Sequence, residues 1–250
     1  MRRLMCVTAH PDDEAGGFGG SLRLYRDRGV ETCVICLTTG QAATNRGVAK
    51  NDSELSALRS KEFVAACEIL RVNLPIILDY PDGQLYRQDL HRVVGDLVLN
   101  LRRFRPQVVM SFGPEGGLTG HPDHSMASIF TTLAFHWAGR TNRYTAQLQD
   151  GLTTHRPQKL YYATADFALP DRQPISFSPA SAIIEIGDLL DTKVRAFKAH
   201  VTQSPLWPQF ENHVRQRARR EMFHLAAATT SATSSVGPES DLFAGIEDAV

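Results

Sequence analysis

Two short clusters hold the residues best suited to chemistry: Ala9-His10-Pro11-Asp12-Asp13-Glu14 and His121-Pro122-Asp123-His124. Imidazole and carboxylate are the ligands a catalytic zinc uses, commonly three of them with one position left for water. His10 and Asp13 stand three apart, and on a tight loop entering a helix both reach one ion. His124 supplies a third bond from the other cluster. Asp12 points elsewhere, toward the open metal position, where a carboxylate takes a proton from water. His121 shares a helical face with His124 and is placed to donate a proton or a hydrogen bond to a developing oxyanion or leaving amine. Asp123 is expected to accept from His121 and hold its tautomer. Either cluster alone also reads as a loop or a helix start, since acidic residues offset the helix dipole there. Two at matching positions make the stronger case for a site.

Those positions are strand ends. Leu4 to Thr8 reads as a first strand, Ala15 to Arg28 as a helix, and Val30 to Leu37 as a strand buried on both faces. A polar loop covers 38–51. A helix starts near Ser53, with Leu55, Leu58, Phe63, Ala66, Cys67 and Leu70 on its apolar side. Pro75 to Leu78 is a strand, Pro81-Asp82-Gly83 a turn, Leu90 to Phe104 a helix, and Gln107 to Phe112 a strand. A glycine-rich loop from Gly113 to Gly120 leads into a helix from His121 to Trp137. This alternation predicts an α/β protein with a Rossmann-like, doubly wound and mostly parallel sheet. Such sheets bind ligands at the carboxyl ends of strands, where the strand order reverses. Both clusters fall there.

The remainder is less regular. Leu160 to Ala163 reads as a strand, Ile186 to His200 as a helix and Gln209 to Leu225 as an Arg-rich helix. Ala226 to Ser240 reads as a loop, and Asp241 to Ile246 as an apolar segment that packs back on the body. The expected organisation is one domain over 1–250, with a core at 1–138 and an extended C-terminal part at 139–250. Gly16-Gly17-Phe18-Gly19-Gly20 lacks the spacing of a dinucleotide loop and reads as close helix packing beside the site.

Composition is that of a soluble globular protein, 42% hydrophobic and 22% charged. Its 27 Lys and Arg balance 27 Asp and Glu. That balance gives no support to a nucleic-acid or anionic-membrane partner. Met1-Arg2-Arg3-Leu4 is followed by no signal-like segment, and no run approaches the roughly 20 apolar residues of a membrane span. We therefore expect a cytoplasmic protein without membrane insertion. Cys33 and Cys36 sit in a strand instead of at a helix N-terminus, so they read, with Cys6 and Cys67, as buried structural thiols.

With both clusters in hand, the chain resembles the LmbE-like (PIG-L) family of zinc-dependent N-deacetylases. The likeness covers most of the chain. AHPDDE at 9–14 and HPDH at 121–124 carry it, helped by Thr39-Gly40, Arg59 and Glu62, Pro81-Asp82-Gly83, the segment 193–203 (KVRAFKAHVTQ) and the segment 241–245. The resemblance implies hydrolysis of an N-acetyl group on an N-acetylglucosamine-type compound. It implies Zn²⁺ held by His10, Asp13 and His124, Asp12 as general base, and His121 as acid and oxyanion group with Asp123 behind it. It also implies substrate contacts from Arg59, and His200 is the later histidine best placed to line the pocket. Gln41 departs from the family's Gly-Glu. The expected partner is a small N-acetylated molecule; homo-oligomer formation is left open. Two other readings stay in play. One is a metal phosphohydrolase, since carboxylates also hold Mg²⁺. The other is a catalytically silent binding protein of the same fold.

Overall fold

The computed structural model describes residues 1–168, 175–217, 219–229 and 237–246. Strands β1 (Arg3–Thr8), β2 (Glu31–Thr38), β3 (Leu74–Tyr80) and β4 (Val108–Phe112) alternate with helices α1 (Asp13–Asp27), α2 (Asp52–Leu70) and α3 (Leu90–Phe104). Helix α4 (Pro122–Trp137), a short α5 (Thr145–Gln149), β5 (Lys159–Thr164), β6 (Ala182–Glu185), α6 (Leu190–Lys198), α7 (Trp207–Arg217) and β7 (Arg220–Ala228) follow. The seven strands form one sheet in the order β3-β2-β1-β4-β5-β7-β6. Strands β1 to β5 run parallel, and β7 runs antiparallel to both β5 and β6.

The order reverses between β1 and β4. Right-handed crossovers then send the helices after β1 and β2 to one face and the helix after β3 to the other. Accordingly α1, α2 and α6 pack together, while α3 packs on α4. The central strands are apolar on both sides because both faces are covered: Leu4, Met5, Cys6, Cys33, Val34, Ile35, Val108 and Val109 are fully buried. All four cysteines are free and buried, as their strand and helix contexts predict. Among the described residues no helix is long and apolar enough to cross a membrane.

The second half departs from the sequence reading in several places. The expected helix from Gln209 to Leu225 stops at Arg217, and the chain from Arg220 becomes β7. Its sequence, REMFHLAAA, lacks the β-branched residues that mark strands. Pairing on both sides, with β5 and β6, supplies what local propensity does not. Strand β6 is four residues long and gave too short a pattern to register. The expected loop from Ala226 begins inside β7, and its stretch 230–236 lies outside the described residues. The segment after it packs back as expected: Leu242 and Phe243 are buried, and Tyr25 Oη accepts the Leu242 N–H.

Candidate metal centre at the ends of β1 and β4

The loop leaving β1 is folded around its own carboxylate. Asp13 Oδ2 accepts the backbone N–H groups of His10 and Ala9 at 2.8 and 3.1 Å. Asp13 Oδ1 lies 3.1 Å from His124 Nε2, and Oδ2 lies 3.6 Å from His10 Nδ1. Burial would raise the Asp13 carboxyl, but His124 and His10 outweigh it and hold it well below the usual carboxylate range. Asp13 is therefore an anion between two imidazoles.

The opposite nitrogen of each imidazole is already committed. His10 Nε2 meets Asp82 Oδ1 at 3.0 Å and Asp123 Oδ2 at 3.3 Å. Burial pulls His10 down, yet these carboxylates and Asp13 together raise it well above its ordinary value. His124 Nδ1 lies 3.1 Å from the Gly116 carbonyl, and its ring stacks on Phe112 at 3.9 Å. Gly116 has φ +89°, and a Cβ there would meet the backbone of Gly120 and His121 at 2.8 Å. Only glycine lets this loop present its carbonyl to His124.

His121 is the N-cap of α4, and its Nδ1 accepts the Asp123 backbone N–H at 3.1 Å. Its ring centroid is 4.7 Å from that of His10 and 5.3 Å from that of His124. Donor atoms of His10, His121 and His124 lie within 4.8 Å of one another. Burial, reinforced by those two neighbours, lowers the His121 pKa. With Nδ1 accepting, the neutral ring carries its proton on Nε2. The Asp123 carboxylate is not on His121 as expected. It is fully buried, accepts N–H groups from Gly83 and Leu85, and turns to His10. Helix geometry separates the two functions: the backbone N–H of Asp123 faces the capping ring, while its side chain projects toward the neighbouring loop.

Asp12 stands apart. Its side chain is 18% exposed and its backbone has φ +114° and ψ −26°, a region costing a non-glycine residue about 1–3 kcal/mol. Arg59 Nη2 donates to Asp12 Oδ2 at 2.9 Å and also to the Pro11 carbonyl, while Nη1 reaches the Gly40 carbonyl at 3.0 Å. Burial, opposed by Arg59 and supported by Asp13, pushes the Asp12 carboxyl up to about 6.

The two residues expected to contact substrate are both buried. Arg59 is 3% exposed and directs both Nη atoms to protein oxygens, so it clamps the β1 loop to the 38–51 loop. His200 is fully buried, with Nε2 on Glu14 Oε1 at 2.7 Å. Conversely, Asp82 joins the cluster from the Pro81-Asp82-Gly83 turn. It also receives the Ala42 N–H at 2.9 Å, and its pKa falls because His10 outweighs burial.

Strand order and site together define a Rossmann-like α/β protein with a histidine–carboxylate centre at its switch point. Residues 5–135 match the PIG-L family, GlcNAc-PI de-N-acetylase, and the chain belongs to that family. It is 30% identical over 219 residues to the diacetylchitobiose deacetylase of Thermococcus kodakarensis, covering 86% of this chain and 76% of the relative. It is 28% identical to the mycothiol S-conjugate amidase of Streptomyces coelicolor, covering 98% of each. The N,N'-diacetylchitobiose deacetylase of Pyrococcus horikoshii shares the fold, with a TM-score of 0.77 at 24% identity over 90% of this chain and 83% of that one.

Proposed function

We propose that this protein is a zinc-dependent N-deacetylase acting on the N-acetyl group of an amino-sugar-type small molecule. One observation carries the reading. His10 Nδ1 and His124 Nε2 both face Asp13, while their other nitrogens are held by Asp82, Asp123 and the Gly116 carbonyl. Zinc-binding histidines commonly donate their second N–H to a carboxylate or a backbone carbonyl in this way. Two imidazoles and a carboxylate suit zinc better than Mg²⁺, which prefers oxygen, so phosphohydrolase chemistry is the weaker reading.

When bound, zinc supplies Lewis acidity to the amide carbonyl and to water. The chain's own residues do the rest. Asp12 accepts a proton from the attacking water as the new C–O bond forms. It returns that proton to the nitrogen as the C–N bond breaks, leaving acetate and a free amine. His121 donates its Nε2–H to the carbonyl oxygen as negative charge gathers there. Arg59 holds Asp12, and the Asp123 backbone N–H holds the His121 tautomer.

The test is acetate release from N-acetylglucosamine, N,N'-diacetylchitobiose and an N-acetylglucosaminyl-inositol. Each is assayed with purified protein, after chelation, and after stoichiometric zinc is restored. Release should vanish on chelation and return with zinc, while circular dichroism stays unchanged, because a core of this size does not need a metal to fold. Release that survives full removal of metal would contradict the proposal.

A further inference from the structure

Behind the site, Glu14 and His200 form a pair that is completely shielded from solvent. The two residues lie 186 positions apart, so the pair ties the first turn of α1 to the chain leaving α6. Glu14 uses its other oxygen, Oε2, to accept the Asp12 backbone N–H at 3.0 Å. His200 Nδ1 has no partner among the described residues, so all of its side-chain hydrogen bonding goes to Glu14. Burying a histidine–carboxylate contact costs desolvation that offsets much of its attraction, so stability alone does not account for it. Its placement against Asp12 points to a positional role.

The neighbouring contacts close a brace. Arg59 holds the Asp12 carboxylate, and Glu62, one helical turn further along α2, accepts both the N–H and the hydroxyl of Thr202 at 2.8 and 2.6 Å. Helix α2 thus grips Asp12 directly and also grips the segment that carries His200. Asp12 is fixed at its N–H and at its carboxylate, in a backbone conformation that persists only when its surroundings over-determine it.

We propose that Glu14 and His200 are a positioning unit that holds Asp12 in its left-handed conformation without touching substrate or metal. The inference deepens the reading of Asp12 as the base and rests on it for its kinetic consequence. His200 orients Glu14 so that one carboxylate oxygen remains aimed at the Asp12 N–H. Without that donor, Glu14 is free to turn, and Asp12 relaxes away from Arg59.

Crystal structures of zinc-loaded His200→Leu and His200→Gln variants test this, with kcat and KM measured on N,N'-diacetylchitobiose. In His200→Leu, the φ of Asp12 should leave the positive region and its carboxylate should part from Arg59. The kcat should fall about 10²-fold, the typical effect of misplacing a catalytic group by about 1 Å, with KM and zinc content unchanged. His200→Gln offers an amide N–H to Glu14 and should restore both geometry and rate. In an Asp12→Asn background, His200→Leu should cost nothing further, since the pair acts only through Asp12. An unmoved Asp12 in His200→Leu, additive losses, or zinc lost in step with activity would each overturn the proposal. Should His200→Leu fail to fold, Glu14→Gln gives the same readouts with one atom exchanged. If Asp12→Asn alone leaves kcat intact, the base assignment falls, while the crystal structures still decide whether the pair holds Asp12.

Discussion

His10 reaches Asp13 through one nitrogen and Asp82 with Asp123 through the other, so two carboxylates stand behind a single imidazole. Removing one of them, by Asp82→Ala, should weaken zinc affinity about 10–100-fold, as loss of such outer partners typically does. Competition with a chromogenic chelator measures this; an unchanged affinity would make Asp82 a turn residue only. His121 makes a different prediction. If it donates to the oxyanion, His121→Ala should lower kcat by about 10²–10³-fold and leave zinc bound. Loss of zinc would make it a third imidazole ligand. The convergence of His10, Asp13 and His124 was legible because two His-Pro-Asp clusters follow strand ends. Asp82 was hidden because Pro-Asp-Gly is already explained as a turn. The partner of Asp123 was not legible, because nearness in sequence favours His121, whereas the helix start gives His121 the backbone N–H instead. For Arg59 and His200, residue type could not distinguish a group that meets substrate from one that holds the loop beneath it.

Helix α1 positions the site through its glycines, and these are not equivalent. A Cβ on Gly20 would meet Ile186 at 2.3 Å, whereas one on Gly17 finds nothing closer than 3.9 Å. The N–H groups of Gly20 and Ser21 turn to Glu221, which also takes Lys193, so this part of α1 is locked to β7 and α6. Gly20→Ala should therefore destabilise by about 1–3 kcal/mol through overpacking. Gly17→Ala should be neutral or stabilising by about 0.5–1 kcal/mol, because alanine costs less helix entropy. Urea unfolding of the two variants checks the contrast; equal effects would remove the packing account. The glycine cluster was legible as packing because its spacing fits no phosphate loop. The α/β alternation of the first half was legible because each strand there is a continuous apolar run. Strand β7 was not, since its alanines and arginine favour a helix locally and only β5 and β6 make it a strand.

The molecule as a whole carries a pH dependence outside the site. His155 donates to the Pro106 carbonyl at 2.7 Å, joining the segment after α5 to the chain just before β4. Burial, helped by Arg105 and Arg3 against that carbonyl, lowers its pKa to about 4. An unfolded chain protonates the same ring near about 6.5. Above that pH both states are neutral and the ring contributes no slope. As pH falls from about 6.5 toward 4, the unfolded state binds a proton that the folded state refuses, and stability drops by up to about 1.4 kcal/mol per unit. His155→Gln keeps a donor but cannot titrate, so its urea midpoint should fall less than wild type between pH 7 and 5; parallel declines would contradict this. At the other end of the sheet, the division of roles between the two neighbouring aspartates is tested by a zinc titration of Asp12→Asn and Asp13→Ala read beside their kcat values. Asp12→Asn should bind zinc like wild type and lose about 10²–10⁴-fold in kcat, the usual worth of a general base. Asp13→Ala should lose zinc and activity together. Zinc retained by Asp13→Ala and lost by Asp12→Asn would reverse the two roles and contradict the account.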